Sequence, residues 1–512
     1  MTPELPCATD ILEQDFGLLP DLIAAHARER GGKIAVADGD TTITYAGLVE
    51  KMDRVAAALQ RDGTVQGQAV AIVAHPSVPY AVAFLGTLRA GSVAAPIAPS
   101  ATPGQIAAMI ADSGATIAFV DAANEAALAG QDIAATLVRL DRDFAAWMAP
   151  AGSEPAPVVI APQDGFNIIY SSGTTGTPKG IVQSHAMRWA HIHRNGPAGF
   201  ADAVTLLATP LYSNTTLVSF LPTVGLGGTA VLMSKFDAHR YLELAERYRA
   251  THTMLVPVQY QRIMALPDFD RFDLSSFRLK TCTSAPFAAA LKADVVARWP
   301  GALVEYYGMT EGGASCGLAA HEFPDKLHTV GKPLPGHEMK LIDEDGREVA
   351  PGEMGEVVGR SPTMMNGYHG RDQATRDAEW HDPDGRRFIR HGDVGRFDED
   401  GFLILMDRKK DMIISGGYNI YPSDLEAVLL RHPGVADAAV IGAPSEAWGE
   451  TPVGFYVPLD EVSTEAVLVW LNAQVGKTQR LSALHAIDEL PRSAIGKVLK
   501  RELRDRLGEV AA

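Results

Sequence analysis

Two textures of hydrophobic patterning divide the chain. Between residues 43 and 120, apolar positions recur at helical spacing in "TYAGLVEKMDRVAAALQRDG", which predicts a helix ending at Gly63. Around it stand short β-rich runs, "AVAIVA", "VAAPI" and "ATIAFV". Helices interleaved with such runs predict an α/β domain on a mostly parallel sheet. The same texture returns at 204–210, 229–233, 253–258 and 303–307. From residue 336 the pattern changes. "HEMKLIDEDGREVAPGEMGEVVGR" and "RFIRHGDVGRFDEDGFLILMDR" alternate charged and apolar residues around Asp-Gly turns, as antiparallel hairpins do. After the charged cluster "DRKKD" (407–411) comes a compact unit, with "PSDLEAVLLRHPGV" as a helix and "VADAAVIGAP" as a strand. Residues 407–410 therefore read as a joint between a large N-terminal domain, 1–406, and a small C-terminal domain, 411–512.

Composition narrows the class. At 512 residues the chain has room for two or more domains and a substantial core. It is 46% hydrophobic and 21% charged with no low-complexity tract, the make-up of a globular enzyme. A net charge of −17 argues against a general nucleic-acid binder or an anionic-membrane surface, so any bound anion must meet local positive charge. Cys7, Cys282 and Cys316 are odd in number and lack metal-ligand spacing; they read as reduced thiols of a cytoplasmic protein. The N-terminal "MTPELPCATDILEQDFG" is acidic, without the basic-then-apolar pattern of a signal peptide. The apolar stretch "VAIVAHPSVPYAVAFLGTLRAGSVAAPIAPS" is broken by Pro76, Pro79, Arg89 and Pro96, which predicts core and no integral membrane segment.

The stretch "YSSGTTGTPKG" (170–180) sets Ser171, Ser172, Thr174, Thr175 and Thr177 among three glycines, with Lys179 behind. Hydroxyls and closely approachable backbone amides suit a polyphosphate. The nucleotide loop of kinases and ATPases is excluded by spacing. Five residues on from Gly173 stands Pro178, and five on from Gly176 stands Ile181, where that motif needs Gly. Three further stretches carry chemistry. "YYGMTEGG" (306–313) offers the Tyr307 ring for a base to stack on and the Glu311 carboxylate for Mg²⁺. "RHGDVG" (390–395) holds Asp393, which could accept both hydroxyls of a ribose; "PRSAIGKVLKREL" (491–503) places Lys497 at the start of a basic helix. Each has an ordinary reading too: a solvated turn, a strand followed by a Gly-rich turn, a hairpin turn, a solvated helix charge.

In this order, from "TYAGLVEKMDRVAAAL" to "IGKVLKREL", the motifs "SSGTTGTPKG", "YGMTE", "HGD", "DRKKDMIISGGYNIYPSDLE" and "PRSAIGK" resemble the adenylate-forming, AMP-binding superfamily. That superfamily includes acyl-CoA synthetases, 4-coumarate–CoA ligases, peptide-synthetase adenylation domains and luciferases. The resemblance implies an α/β fold: a large N-terminal domain with mostly parallel sheets and a small β-barrel-like subdomain, then a small mobile α+β C-terminal domain. It implies ATP, Mg²⁺ and coenzyme A as reactants and cofactor, and leaves room for a homodimer. Carried over by position, Ser171, Thr174, Thr175 and Lys179 belong to the loop handling the β- and γ-phosphates. Ala285 and Tyr307 match adenine contacts, Thr310 the α-phosphate contact and Glu311 the magnesium ligand. Asp393 and Arg408 would hold the ribose, and Asn419 faces the nucleotide. Lys410 matches the hinge and Lys497 the lysine of the first half-reaction. Tyr212, Ser213 and Gly308 match the acid pocket, and Gly416 and Gly417 the CoA channel. The reaction implied is an acyl-adenylate formed with release of pyrophosphate, followed by acyl transfer to CoA.

Two positions depart from relatives within that family. In "PLYSNTT" (210–216), Ser213 stands where many acyl- and aryl-CoA ligases have histidine, and Ile414 stands where plant coumarate ligases have lysine. Only fifteen residues follow Lys497, too few for a carrier domain, which points to CoA as acceptor. The segment 206–233 carries no charged residue. Since a buried carboxylate needs a paired cation, this favours an apolar aryl or medium-chain monocarboxylic acid over malonate- or oxalate-like diacids. Two other patterns compete. "GLGGTA" (225–230) fits a loose dinucleotide fingerprint, but the strand-like "VLM" follows where a helix is required. "GASCG" (313–317) fits the elbow of α/β-hydrolases, with Ser315 as nucleophile of an esterase or thioesterase. That reading leaves the 170–180 loop and Lys497 without a role.

Overall fold

The computed structural model describes residues 5–39, 41–171, 179–408, 411–415, 418–445, 448–459, 462–476, 479–493 and 496–510. The chain packs into two compact units. The first takes Met1–Leu327, Leu334–Glu338 and Arg360–Ile389; the second takes His328–Pro333, Met339–Gly359 and Arg390–Ala512.

Two sheets organise the first unit. One runs Thr136–Arg139, Ile117–Val120, Ala69–Val73, Val93–Pro96, Gly165–Ser171, Lys179–Ser184 and Gly367–Tyr368. Its pairings are parallel up to Gly165–Ser171 and antiparallel beyond it. The other runs Thr41–Thr44, Ile34–Asp38, Thr229–Leu232, Val204–Leu207, His252–Leu255, Leu279–Cys282, Ala302–Tyr307 and Cys316–Ala319. Its interior pairings are parallel, and the pairs Ile34–Asp38 with Thr41–Thr44 and Ala302–Tyr307 with Cys316–Ala319 are antiparallel. The β-rich runs read from the sequence are these strands.

The helices explain why the sheets stay covered. In Tyr45–Arg61, Leu48, Met52, Val55 and Leu59 recur at i, i+4, i+7 and i+11 and are fully buried. Each contributes about 1.5–3 kcal/mol by leaving water. The Thr44 hydroxyl caps the helix by accepting from the Gly47 amide. This face packs on Val78–Arg89, whose N-terminus carries Pro79 and is capped by Ser77. A Cβ at Gly86 would stand 2.5 Å from Val55, so only glycine lets the two helices approach this closely. The long apolar run of the sequence is thus a helix and two strands of core. Among the described residues, no helix is long and apolar enough to cross a membrane.

In the second unit, residues 393–397 of the strand Arg387–Phe397 pair antiparallel with Leu403–Arg408 across the Asp398–Gly401 turn. A second sheet orders Tyr418–Ile420, Ile413–Ser415, Gly449–Pro458 and Val435–Ser445, with Ala483–Ala486 parallel to Gly449–Pro458. The helices Pro422–Leu429 and Thr464–Gln474 contribute Leu425, Leu429, Val467 and Leu471 to one core with this sheet. One boundary differs from the sequence reading. The last helix is Lys500–Val510, so Lys497 precedes it and lies in a turn. Ser493 accounts for the delay: its carbonyl accepts from the Gly496 amide and its hydroxyl from the Lys497 amide, while Gly496 takes φ +76°.

Candidate active site

The strand Lys179–Ser184 is the axis of the site. Its first residue, Lys179, lies opposite Ser171 in the antiparallel pair, so the quoted loop joins two neighbouring strands. Thr174 and Thr175 lie outside the described residues, as do Lys410, Gly416 and Gly417. On its other side the strand pairs with Gly367–Tyr368. This short strand brings Tyr368 into the site, a residue with no signal in the sequence. The Lys179 ammonium stands 5.1 Å from the centroid of the Tyr368 ring, within cation–π range. The Tyr368 hydroxyl donates to Glu311 Oε1 at 2.8 Å. Burial and the Glu311 carboxylate both push the phenol upward, so it stays protonated and remains a donor. One aromatic ring thus ties the loop lysine to the acidic residue.

Thr310 and Glu311 sit in the loop between the strands Ala302–Tyr307 and Cys316–Ala319, and both backbone carbonyls are held. Gln183 Nε2 donates to the Thr310 carbonyl at 2.7 Å, and the Met365 amide donates to the Glu311 carbonyl at 2.8 Å. Gln183 is itself fixed: Asn167 Nδ2 and Arg188 Nη2 both donate to its Oε1, and Arg188 Nε donates to Asn167 Oδ1 at 2.9 Å. All three side chains are fully buried. Tyr307 closes its strand opposite Cys316, half-buried, and Gly308 beside it is exposed.

The turn bearing Ala285 follows the strand Leu279–Cys282. Its neighbour Ser284 takes φ +84°, a conformation that side-chain-bearing residues adopt at a cost of about 1–2 kcal/mol. The Thr215 hydroxyl, 2.6 Å from Ser284 Oγ, holds it there. Thr215 lies in the first turn of Asn214–Gly225, the helix that Ser213 caps by accepting from the Thr215 amide. Tyr212 is half-buried and hydrogen-bonded to Ser100. The start of the helix that Ser213 caps and the turn bearing Ala285 are therefore linked through one pair of hydroxyls, which sequence reading missed.

In the second unit, Asp393 lies directly opposite Arg408 in the Arg387–Phe397 and Leu403–Arg408 pair, with a bulge between Asp393 and Gly395. Both proposed ribose residues thus share one rung of a ladder. His391, next but one, is buried, which lowers it to about 4 despite the Asp393 and Glu356 carboxylates, so it is neutral. Asn419 pairs with Ile414 in a short hairpin. Lys497 is exposed, and its turn is braced from behind: Arg492 Nη1 donates to the Gly496 carbonyl at 2.7 Å and Nη2 to Asp437 Oδ2 at 2.6 Å.

The hydrolase alternative fails on local geometry. A nucleophile elbow needs a strand, a sharp turn and a helix. Ser315 instead opens the strand Cys316–Ala319. The imidazole beside it, His337, accepts from the Ser315 backbone amide at 2.9 Å through Nδ1. The dinucleotide fingerprint also falls, because the strand Thr229–Leu232 follows Gly228 directly, where a helix is required.

Comparison with known proteins bears on the family and the fold. The model of the AMP-binding enzyme family matches residues 23–369, and that of the AMP-binding enzyme C-terminal domain matches residues 424–497. A feruloyl-CoA synthase from an Amycolatopsis species is 34% identical over 93% of this chain and 96% of its own. An indoleacetate–CoA ligase from Aromatoleum aromaticum is 32% identical over 95% of this chain and 97% of its own. Among solved structures, the o-succinylbenzoate CoA synthetase MenE of Bacillus subtilis, in complex with its acyl-adenylate intermediate, superposes with a TM-score of 0.83. It is 26% identical and covers 94% of this chain and 98% of its own.

Proposed function

The chain belongs to the AMP-binding enzyme family, and from that membership we propose how its residues divide the work of an AMP-forming acid–thiol ligase. The enzyme is an ATP-dependent carboxylic acid–CoA ligase. A carboxylate attacks the α-phosphorus of ATP, pyrophosphate leaves, and an acyl-adenylate remains. The CoA thiol then attacks the acyl carbon, AMP leaves, and the thiol proton is released. The acid has an apolar aryl or medium-chain aliphatic body, in keeping with the uncharged, buried helix Asn214–Gly225.

The observation that carries this reading is the meeting of Lys179 and Glu311 on Tyr368, beside a Thr310 fixed by Gln183. In the first step charge grows on the α-phosphate oxygens and on the leaving pyrophosphate, so donors and cations fixed beforehand lower the barrier. Ser171, Thr174, Thr175 and Lys179 take the leaving phosphates, and Thr310 the α-phosphate. Tyr307 and Ala285 flank the adenine, and Asp393, Arg408 and Asn419 take the ribose side. Lys497 supplies the cation of the first step. After adenylation the C-terminal domain turns about Lys410, withdraws Lys497 and opens the route past Gly416 and Gly417 to the thiol.

Glu311 fits a magnesium ion. One of its oxygens accepts from Tyr368, which leaves the other for a hard cation. Among the described residues no cluster of three or more His, Cys, Asp or Glu could cage a metal without help. Magnesium needs no such cage, because it takes one or two carboxylates and completes its shell with phosphate oxygens and water. When bound there it neutralises charge on the phosphates.

The reaction class is tested by coupling AMP release to a panel of aryl and aliphatic acids. AMP is expected to appear only when acid, ATP and CoA are all present; acyl-CoA hydrolysis in the absence of ATP would restore the Ser315 reading. The geometry is tested by Tyr368→Phe. A hydrogen bond to a charged group contributes about 1.5–3 kcal/mol. The half-exposed setting takes the lower end, so kcat/KM for ATP should fall about tenfold with little change in melting temperature. An unchanged kcat/KM across a magnesium titration would remove Tyr368 from the site.

A further inference from the structure

Among the described residues, Arg249 at φ +50° and Ser284 at φ +84° are the two side-chain-bearing residues with left-handed backbone. Arg249 lies two residues past the helix Ala238–Arg247, where that conformation ordinarily closes a helix. Ser284 follows the strand Leu279–Cys282, where no helix ends, and directly precedes Ala285. A residue persists in such a conformation only where its surroundings impose it, and positions of this kind gather at functional sites.

Tyr260, in the helix Pro257–Met264, fixes both ends of the turn. Its hydroxyl donates to the Thr281 carbonyl at 3.0 Å, on the strand that enters the turn. Its ring stacks on Phe287, on the way out, with centroids 5.2 Å apart and planes 23° from parallel. Between these anchors the turn does not hold itself. Among the described residues, Ser284, Ala285 and Pro286 make a single hydrogen bond, the one that joins Ser284 Oγ to Thr215 Oγ1 at 2.6 Å. Thr215 is a firm post. It is 6% exposed, in the first turn of Asn214–Gly225, a helix seated in the core by fully buried Leu217, Phe220, Leu221 and Val224. The next residue, Thr216, ties that first turn back by donating to the Pro210 carbonyl at 2.7 Å. A rigid element thus reaches the one point at which the turn is otherwise unsupported.

We propose that Thr215 is a positioning residue for the nucleotide: its hydroxyl holds Ser284 left-handed and so sets the path on which Ala285 meets the adenine. Thr215 acts through Ser284 and does not itself touch ATP. The inference rests on the assignment of Ala285 to the adenine within the ligase reading. Released from Thr215, Ser284 returns toward negative φ, which swings the peptide plane that leads into Ala285. Tyr260 still pins both ends of the turn, so the disturbance stays at the base and does not spread into the sheet.

Thr215→Val keeps the branching of the side chain and removes its hydroxyl. The measurements are Kd for AMP by titration calorimetry and, with the most active acid of the panel, KM for ATP, acid and CoA. Kd for AMP and KM for ATP should both rise about tenfold, the upper range for a lost neutral hydrogen bond. KM for the acid and for CoA should be unchanged, and Thr215→Ser should restore most of the affinity. Ser284→Gly supplies the deciding background, because glycine takes φ +84° without strain and no longer needs the tether. There Thr215→Val should add little to whatever Ser284→Gly costs alone, whereas a merely structural hydroxyl would cost the same in both backgrounds. Equal cost in both backgrounds, a rise confined to KM for the acid, or an unchanged Kd for AMP in Thr215→Val overturns the inference. Ala285→Leu tests the assignment beneath it, since crowding the base should weaken AMP at least as much as Thr215→Val does. An AMP response to Ala285→Leu without one to Thr215→Val removes the inference alone. AMP affinity unmoved by Ala285→Leu removes the adenine assignment and the inference with it.

Discussion

Lys497→Ala is expected to nearly abolish acyl-adenylate formation from acid and ATP while sparing thioester formation from a synthetic acyl-adenylate and CoA. Removing one fixed charge at a developing oxyanion costs on the order of 100- to 1000-fold. The substitution should not disturb the fold. Lys497 is exposed, and its turn is closed by main-chain and Ser493 bonds and braced by Arg492 against Asp437, none of which needs the lysine side chain. Lys410→Pro should behave in the opposite sense, because a fixed φ and a lost amide at the joint hinder rotation and leave adenylation running. The measurement is the pair of half-reactions run separately on each variant. Equal damage to both half-reactions in both variants would mean a single static site and would sink the rotating-domain proposal.

Much of the architecture is legible in the sequence because its signals are local. Strands such as Ala69–Val73 and Ile117–Val120 are unbroken apolar runs, and the helix Tyr45–Arg61 announces itself through Leu48, Met52, Val55 and Leu59. The reactive loop is legible for the same reason: "YGMTE" is contiguous, and the structure leaves Thr310 and Glu311 in one turn. What holds that turn is not. Gln183 reaches Thr310 across 127 residues and Tyr368 reaches Glu311 across 57, and neither side chain is marked by its neighbours in the chain. Nothing in "HAMRWAHIHR" marks Arg188 as a buried residue either: the strand Gly165–Ser171 presents Asn167 and the strand Lys179–Ser184 presents Gln183, and the buried guanidinium donates to both. The start of the last helix escapes a periodicity reading because periodicity ignores the Ser493 turn, whose geometry only the folded backbone reveals.

Gly312→Ala should be among the most damaging single-methyl changes in the first unit. Gly312 follows Glu311 directly, has φ +72°, and a Cβ built there would stand 1.7 Å from the Thr363 carbonyl oxygen. Backbone cannot be pushed aside as a flexible side chain can. Thr363 is pinned through its amide to Ser361 Oγ, and Ser361 Oγ donates to the Gly312 carbonyl at 2.7 Å. The left-handed φ costs alanine about 1–2 kcal/mol. The overlap adds a cost of about 1–3 kcal/mol as the segment shifts. The chemical consequence is larger than the loss of stability. A shift near 1 Å in reacting groups costs on the order of 100-fold, and Thr310 and Glu311 are the residues that must move with the loop. Adenylation should therefore fall by about 100-fold, with a clear drop in melting temperature. Gly130→Ala separates the two contributions, since Gly130 has φ +87° and a Cβ there would meet nothing within 4 Å. That variant should lose only the backbone increment and keep its activity. Wild-type exchange rates in Gly312→Ala would show that the loop tolerates a new path, and that its bonds to Gln183, Met365 and Tyr368 do not position Thr310 and Glu311.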